Sequence, residues 1–144
     1  MKFITVITVA LAMSMSLMYC SKDGKRNINF NELPQTAQTF VQSHFSDKQV
    51  SIVYREHNEY EVVFVDGAKI EFTRNGEWDE VEDHDADGIP VAIMLQPIVD
   101  YVKANHPGQP IVKINKERSK YEVELSSTIE IIFNKSGDFV RYDD

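Results

Sequence analysis

Displaced by 61 positions, the chain overlies itself without a gap from residue 40 to residue 81. Phe40-Val41 falls on Tyr101-Val102 and Tyr60-Glu61-Val62 on Tyr121-Glu122-Val123. Ile70 and Phe72 fall on Ile131 and Phe133, Gly76 on Gly137, and Trp78 on Phe139. Apolar coincidences alone arise by chance, but a shared Tyr-Glu-Val and a Phe four places before a Gly, all at one offset, do not. Self-similarity of this period marks one supersecondary unit built twice, each copy helping to bury the other's apolar side.

The unit has a helix first. Leu33-Pro34 opens it, proline being tolerated in a helix's first turn, and Leu33, Ala37, Phe40, Val41 and His44 then recur at spacings of three and four. Pro97 opens the second copy, with Ile98, Tyr101, Val102 and Asn105 on one face, and His106-Pro107-Gly108 stops it. The run Pro90 to Leu95 has no counterpart in the first copy and reads as one helical turn covering its neighbour. Period-two segments follow each helix. Val50, Ile52 and Tyr54, then Tyr60, Val62 and Phe64, then Ile70 and Phe72, are punctuated by His57-Asn58, Asp66-Gly67 and Asn75-Gly76. The second copy echoes them up to Phe139–Tyr142. The expected class is α+β: two tandem repeats of one helix plus a four-stranded antiparallel sheet, helices packed on one face. Residues 33–82 form the first repeat, 83–89 an acidic linker and 90–144 the second repeat.

The opposite sheet face mixes Glu61, Lys69, Glu71, Glu122, Glu124 and Glu130 with Val63, Val65 and Ile132. Apolar side chains on an otherwise charged face suit either solvent or a docked partner. Trp78, at the acidic junction, reads either as core or as a partner's anchor. Tyr60, Tyr121, Phe72 and Phe133 recur in both copies and read as core.

The first twenty residues differ from the rest. Met1-Lys2 precedes seventeen uncharged residues, Phe3 to Tyr19, after which the chain turns polar. Length and position fit an export signal (residues 1–20) better than a membrane span. Cys20, the only cysteine, lies where that signal ends, with Leu17 three places before it, as in lipidated bacterial signals. Tyr19 departs from the small residue usual there. Cleavage near Ala10-Leu11-Ala12 is the alternative. With Cys20 acylated, residues 21–32 would be a flexible tether. The expected location is the periplasm or outer membrane, as a lipoprotein, with membrane contact only through that anchor.

The Leu-Pro helix, the Tyr-Glu-Val and Ile-x-Phe strands and Asn-Gly-x-Trp-x-x-Val, all in tandem over residues 33–144, resemble the PepSY-like, beta-lactamase-inhibitor-like proteins. These are typical of secreted or lipid-anchored products of gut-type Gram-negative bacteria. The resemblance implies paired helix-plus-four-strand units with sheets side by side. It also implies protein binding rather than catalysis, since related folds serve as enzyme inhibitors and protease propeptides.

The chemistry-bearing motifs are few. A net charge of -8 with no basic cluster excludes a duplex nucleic-acid reader. No nucleophile elbow, phosphate loop or dinucleotide fingerprint is present, and the four histidines lack metal-ligand spacing, so neither an enzyme nor a cofactor is expected. Asp83, Asp85, Asp87 and Gly88 open like a calcium-binding EF-hand loop, but position 12 is Met94 and the flank 77–81 is strand-like. The stretch reads as a solvated acidic linker, with a cation site as the alternative. The main functional expectation is a non-enzymatic exported protein docking an unidentified exported protein or peptide through Val63, Val65, Trp78 and Ile132. Inhibition of a secreted enzyme would be one form of this. The alternative is a small-ligand or calcium-binding envelope module centred on Asp83, Asp85 and Asp87.

Overall fold

The computed structural model describes residues 24–143. Cys20 and the export signal lie outside them. Among the described residues, nine strands form one antiparallel sheet in strict chain order: β1 (Arg26–Ile28), β2 (Val50–Glu56), β3 (Glu59–Phe64), β4 (Lys69–Phe72), β5 (Trp78–Glu82), β6 (Ile111–Lys116), β7 (Lys120–Leu125), β8 (Glu130–Asn134) and β9 (Phe139–Asp143). Helix α1 (Gln35–His44) precedes β2 and α2 (Gln96–Asn105) precedes β6. A 3-10 turn at Val91–Ile93 stands where the unmatched Pro90–Leu95 run predicts one.

The repeat holds to the level of register. Val53, Val62, Ile70 and Val81 face one another across β2–β5, and Ile114, Val123, Ile131 and Tyr142 do so across β6–β9. Even the irregularities recur: Val50/Ile52 and Glu71/Phe72 in the first copy, Ile111/Lys113 and Ile132/Phe133 in the second. Each helix lays one aromatic on its own sheet. Phe40 meets Phe72 edge-on at 5.8 Å and stacks on Trp78, while Tyr101 meets Phe133 edge-on at 5.5 Å and stacks on Phe139. Each fully buried Phe, Ile or Leu of this layer contributes about 1.5–3 kcal/mol of transfer free energy. Gly76 turns the chain beneath α1 at φ +81°, where a Cβ would lie 2.7 Å from Pro34 Cβ. A side chain there would push the helix off its sheet.

β5 pairs with β6, so the two copies share one sheet. Residues 26–32, expected as part of a flexible tether, are instead built into the fold. β1 pairs with β2, Ile28 is buried, and Phe30–Glu32 form a 3-10 turn capped by Asn29 and Glu32. A short strand with exposed Arg26 and Asn27 protects the outer edge of β2, which alternation within repeats cannot reveal.

Candidate functional site

Three loops meet at the end of the first repeat: the segment after α1, the β3–β4 turn and the stretch following β5. Lys48, from the first, extends its ammonium into a group of carboxylates. Its Nζ lies 2.5 Å from Asp66 Oδ2, 3.0 Å from Asp83 Oδ2 and 2.5 Å from Asp85 Oδ2. Oxygens of the three aspartates all fall within 4.8 Å of one another. The turns themselves aim these groups. Asp66 Oδ1 accepts from the Ala68 N–H and Asp83 Oδ1 from the Asp85 N–H, which leaves the second oxygen of each free for Lys48. Short-range Asx turns of this kind fix a carboxylate through its own backbone.

Asp83 is only 2% exposed, so the expectation of a solvated linker fails at its first residue. The reason is backbone pairing: the Asp83 N–H donates to the Val112 carbonyl and the Ile89 N–H to the Ile111 carbonyl, clamping residues 83–89 along β6. Gly88 (φ +66°) makes that approach possible, since a Cβ would lie 2.3 Å from the Ile111 carbonyl oxygen. Burial acts against the Lys48 ammonium, but the hydrogen bonds it donates to three carboxylates outweigh it and hold its pKa above the ordinary lysine value. The same hydrogen bond holds Asp66 below the usual carboxylate range. Beside this group, Phe45, Asp87, Ile89, Pro90 and Val91 line an open cleft of about 340 Å³.

Of the predicted metal residues, the structure brings Asp83 and Asp85 together and leaves Asp87 exposed on the cleft wall. Asp66 replaces it in the cluster. A signal existed: at the 61-residue offset Lys48 and Asp66 correspond to Gln109 and Ser127, so both ionic partners occur in one copy only.

The expected docking residues do not form one patch. Val63 is half-buried on the open face, between Ile52 and Lys69. Ile132, 4% exposed, lies beneath a shallow depression rimmed by Lys113, Glu122, Glu130 and Asp143. Val65 is 64% exposed but stands beyond the end of β3, in the turn. Trp78 points to the helix side, stacked on Phe40, with the Lys116 ammonium 4.4 Å from its ring centroid. The bulge opposite Glu71/Phe72 displaces it from the alternation that would have put it elsewhere. What crosses the open face is charge. Lys69 pairs with Glu82 at 3.0 Å and Lys113 with Glu80 at 3.2 Å, while Glu61, Glu71 and Glu80 stand in one cross-strand row.

The family model for beta-lactamase-inhibitor-like, PepSY-like proteins matches residues 21–63 and 58–141. The chain belongs to this family. Solved relatives of this PepSY-like protein share the whole fold. One, from Bacteroides thetaiotaomicron, is proposed to be a calcium-regulated periplasmic protein; it is 36% identical with a TM-score of 0.80, over 85% of this chain and 98% of its own. A protein from Bacteroides vulgatus, proposed to be periplasmic, is also 36% identical, with a TM-score of 0.79 over 85% and 99% of the two chains. A second B. vulgatus protein, of unknown function, is 32% identical with a TM-score of 0.78 over 84% and 100%. No curated protein matches. Family membership makes the PepSY-like chain a non-enzymatic protein.

Proposed function

We propose that the protein is a calcium-responsive, non-enzymatic binding module of the bacterial envelope. The observation that carries this reading is the convergence of Asp66, from the β3–β4 turn, and Asp83 and Asp85, from the segment after β5, on a single positive charge. An all-oxygen donor set suits a hard divalent ion such as calcium, which takes six to eight oxygens and tolerates irregular geometry. The three carboxylates would hold it, and Asp87 and loop carbonyls lie near enough in sequence to add to them. Lys48 occupies the centre, so a cation must displace the ammonium, and the two compete for the same oxygens. The relative proposed to be calcium-regulated supports the choice of ion. Two further relatives described as periplasmic, and the charge-free run ending at Leu17–Cys20, support export to the periplasm with a lipid anchor at Cys20.

A partner would meet the open sheet face as a charged lattice, not as the apolar patch of Val63, Val65, Trp78 and Ile132. Inhibition of a secreted enzyme rests on resemblance of fold alone.

Calcium titration with thermal melting tests the proposal. Binding to the folded state alone adds about 2.7 kcal/mol at one hundred times the dissociation constant. The wild-type melting temperature should rise with calcium and return with chelator. Asp66→Asn combined with Asp85→Asn, both at exposed positions, should abolish the response. A wild-type protein indifferent to calcium overturns the reading.

A further inference from the structure

Within the chain, β5 binds β6 edge to edge, with Glu80, Val81 and Glu82 facing Asn115, Ile114 and Lys113. The 61-residue offset maps those three β5 residues onto Arg141, Tyr142 and Asp143 of β9. β9 is thus the second copy of a strand whose outer edge is already an interface in the first copy. Among the described residues, nothing pairs with the outer edge of β9. Large exposed apolar side chains gather there: Phe139, Val140 and Tyr142 are three of the six in the described chain. The strand is also held in place. The Tyr142 hydroxyl is hydrogen-bonded to Tyr101 of α2 at 3.1 Å and to His106, the residue that caps that helix, at 3.0 Å, and Phe139 stacks on Tyr101. A strand already fixed in this way loses little freedom when it pairs.

We infer that β9 pairs with β9 of a second copy of this chain, antiparallel about a two-fold axis through Tyr142. In that register Arg141 of each copy faces Asp143 of the other, on the open-face side of the sheet. The self-complementary charge pattern is what selects a second copy. Within one chain, Arg141 and Asp143 already pair with each other at i, i+2, so both charges stand on the same side of the strand. Two-fold symmetry keeps both pairs of helices on one face, as the β5–β6 seam does. The opposite edge of the sheet is β1, only three residues long with Arg26 and Asn27 exposed, and so short an edge disfavours growth beyond two copies.

Sedimentation of the processed full chain, purified from expressing cells in mild detergent, tests this over a concentration series. Wild type should pass from monomer to dimer and no further. Arg141→Asp and Asp143→Arg each set like charges opposite one another, and should weaken self-association by about tenfold or more. Mixed in equal amounts, these two variants place Asp opposite Arg at every contact and should form a one-to-one dimer. A wild-type chain that stays monomeric at millimolar concentration, assembly beyond two copies, or a mixture that dimerises no better than its components would each overturn the inference.

Discussion

Lys48 and Asp83 form an ion pair at 3.0 Å with both side chains almost withdrawn from water, at 10% and 2% exposure. Removing one partner of such a pair leaves the other buried and uncompensated, typically at a cost of 3–5 kcal/mol. Lys48→Met should therefore lower stability by about 3 kcal/mol in chelator. It also removes the competitor for the three carboxylates, so calcium should restore most of the loss and bind more tightly than to wild type. Urea unfolding with and without calcium checks both. A variant that stays equally weak in saturating calcium would exclude a cation from the cluster.

Acid should loosen the same cluster. The Lys48 hydrogen bond depresses the Asp66 pKa below its ordinary value of 3.8. A depressed carboxyl contributes stability that is present above the unfolded value and lost as pH falls through the folded one. The raised Lys48 pKa acts at the other end, its share being complete below 10.5 and lost as pH rises through the higher folded value. The melting-temperature gap between wild type and Asp66→Asn should be level near neutrality and close below pH 3.8.

Glu71 should show the opposite sign. Burial, then the Glu80, Asp79 and Glu61 charges, raise its pKa. A carboxyl raised in this way disfavours the fold once ionised. Glu71→Gln should raise the melting temperature at neutral pH, and the gain should shrink as the solution is acidified toward 4.5, the ordinary glutamate value. A gain independent of pH would point to something other than charge.

Gly88→Ala tests the clamp on β6. A Cβ 2.3 Å from the Ile111 carbonyl oxygen and a φ of +66° both oppose the substitution. A loss of about 1–3 kcal/mol is expected. Calcium affinity should fall with it, since Asp83 and Asp85 ride on the displaced segment.

Thr128 offers a stabilising change. It holds φ at +68°, where the first copy has Gly67 at φ +94°. The left-handed region costs a non-glycine residue about 1–2 kcal/mol, so Thr128→Gly should stabilise the protein by roughly 1 kcal/mol, read from the denaturation midpoint.

The architecture was legible because duplication gives every strand an internal control. Tyr60 and Tyr121, or Gly76 and Gly137, vouch for each other, and period-two alternation then assigns their faces. The same evidence is silent where the copies differ. β1 has no counterpart in the second repeat. Trp78 obeys a bulge that alternation cannot anticipate. Asp83 belongs to an EF-hand-like run by composition but is buried by backbone bonds to β6, contacts spanning some thirty residues. Asp66 looked like turn chemistry alone, and it serves as that too, through Ala68. Its second oxygen acquires a role only once folding brings Lys48 alongside.

Because each strand pairs with its neighbour in the chain, most of the sheet assembles from adjacent segments, the long gaps being the two that α1 and α2 span. Low loop-closure entropy favours rapid folding. The amino-terminal module can pair its own strands first, and then offer β5 as the template on which the second module condenses.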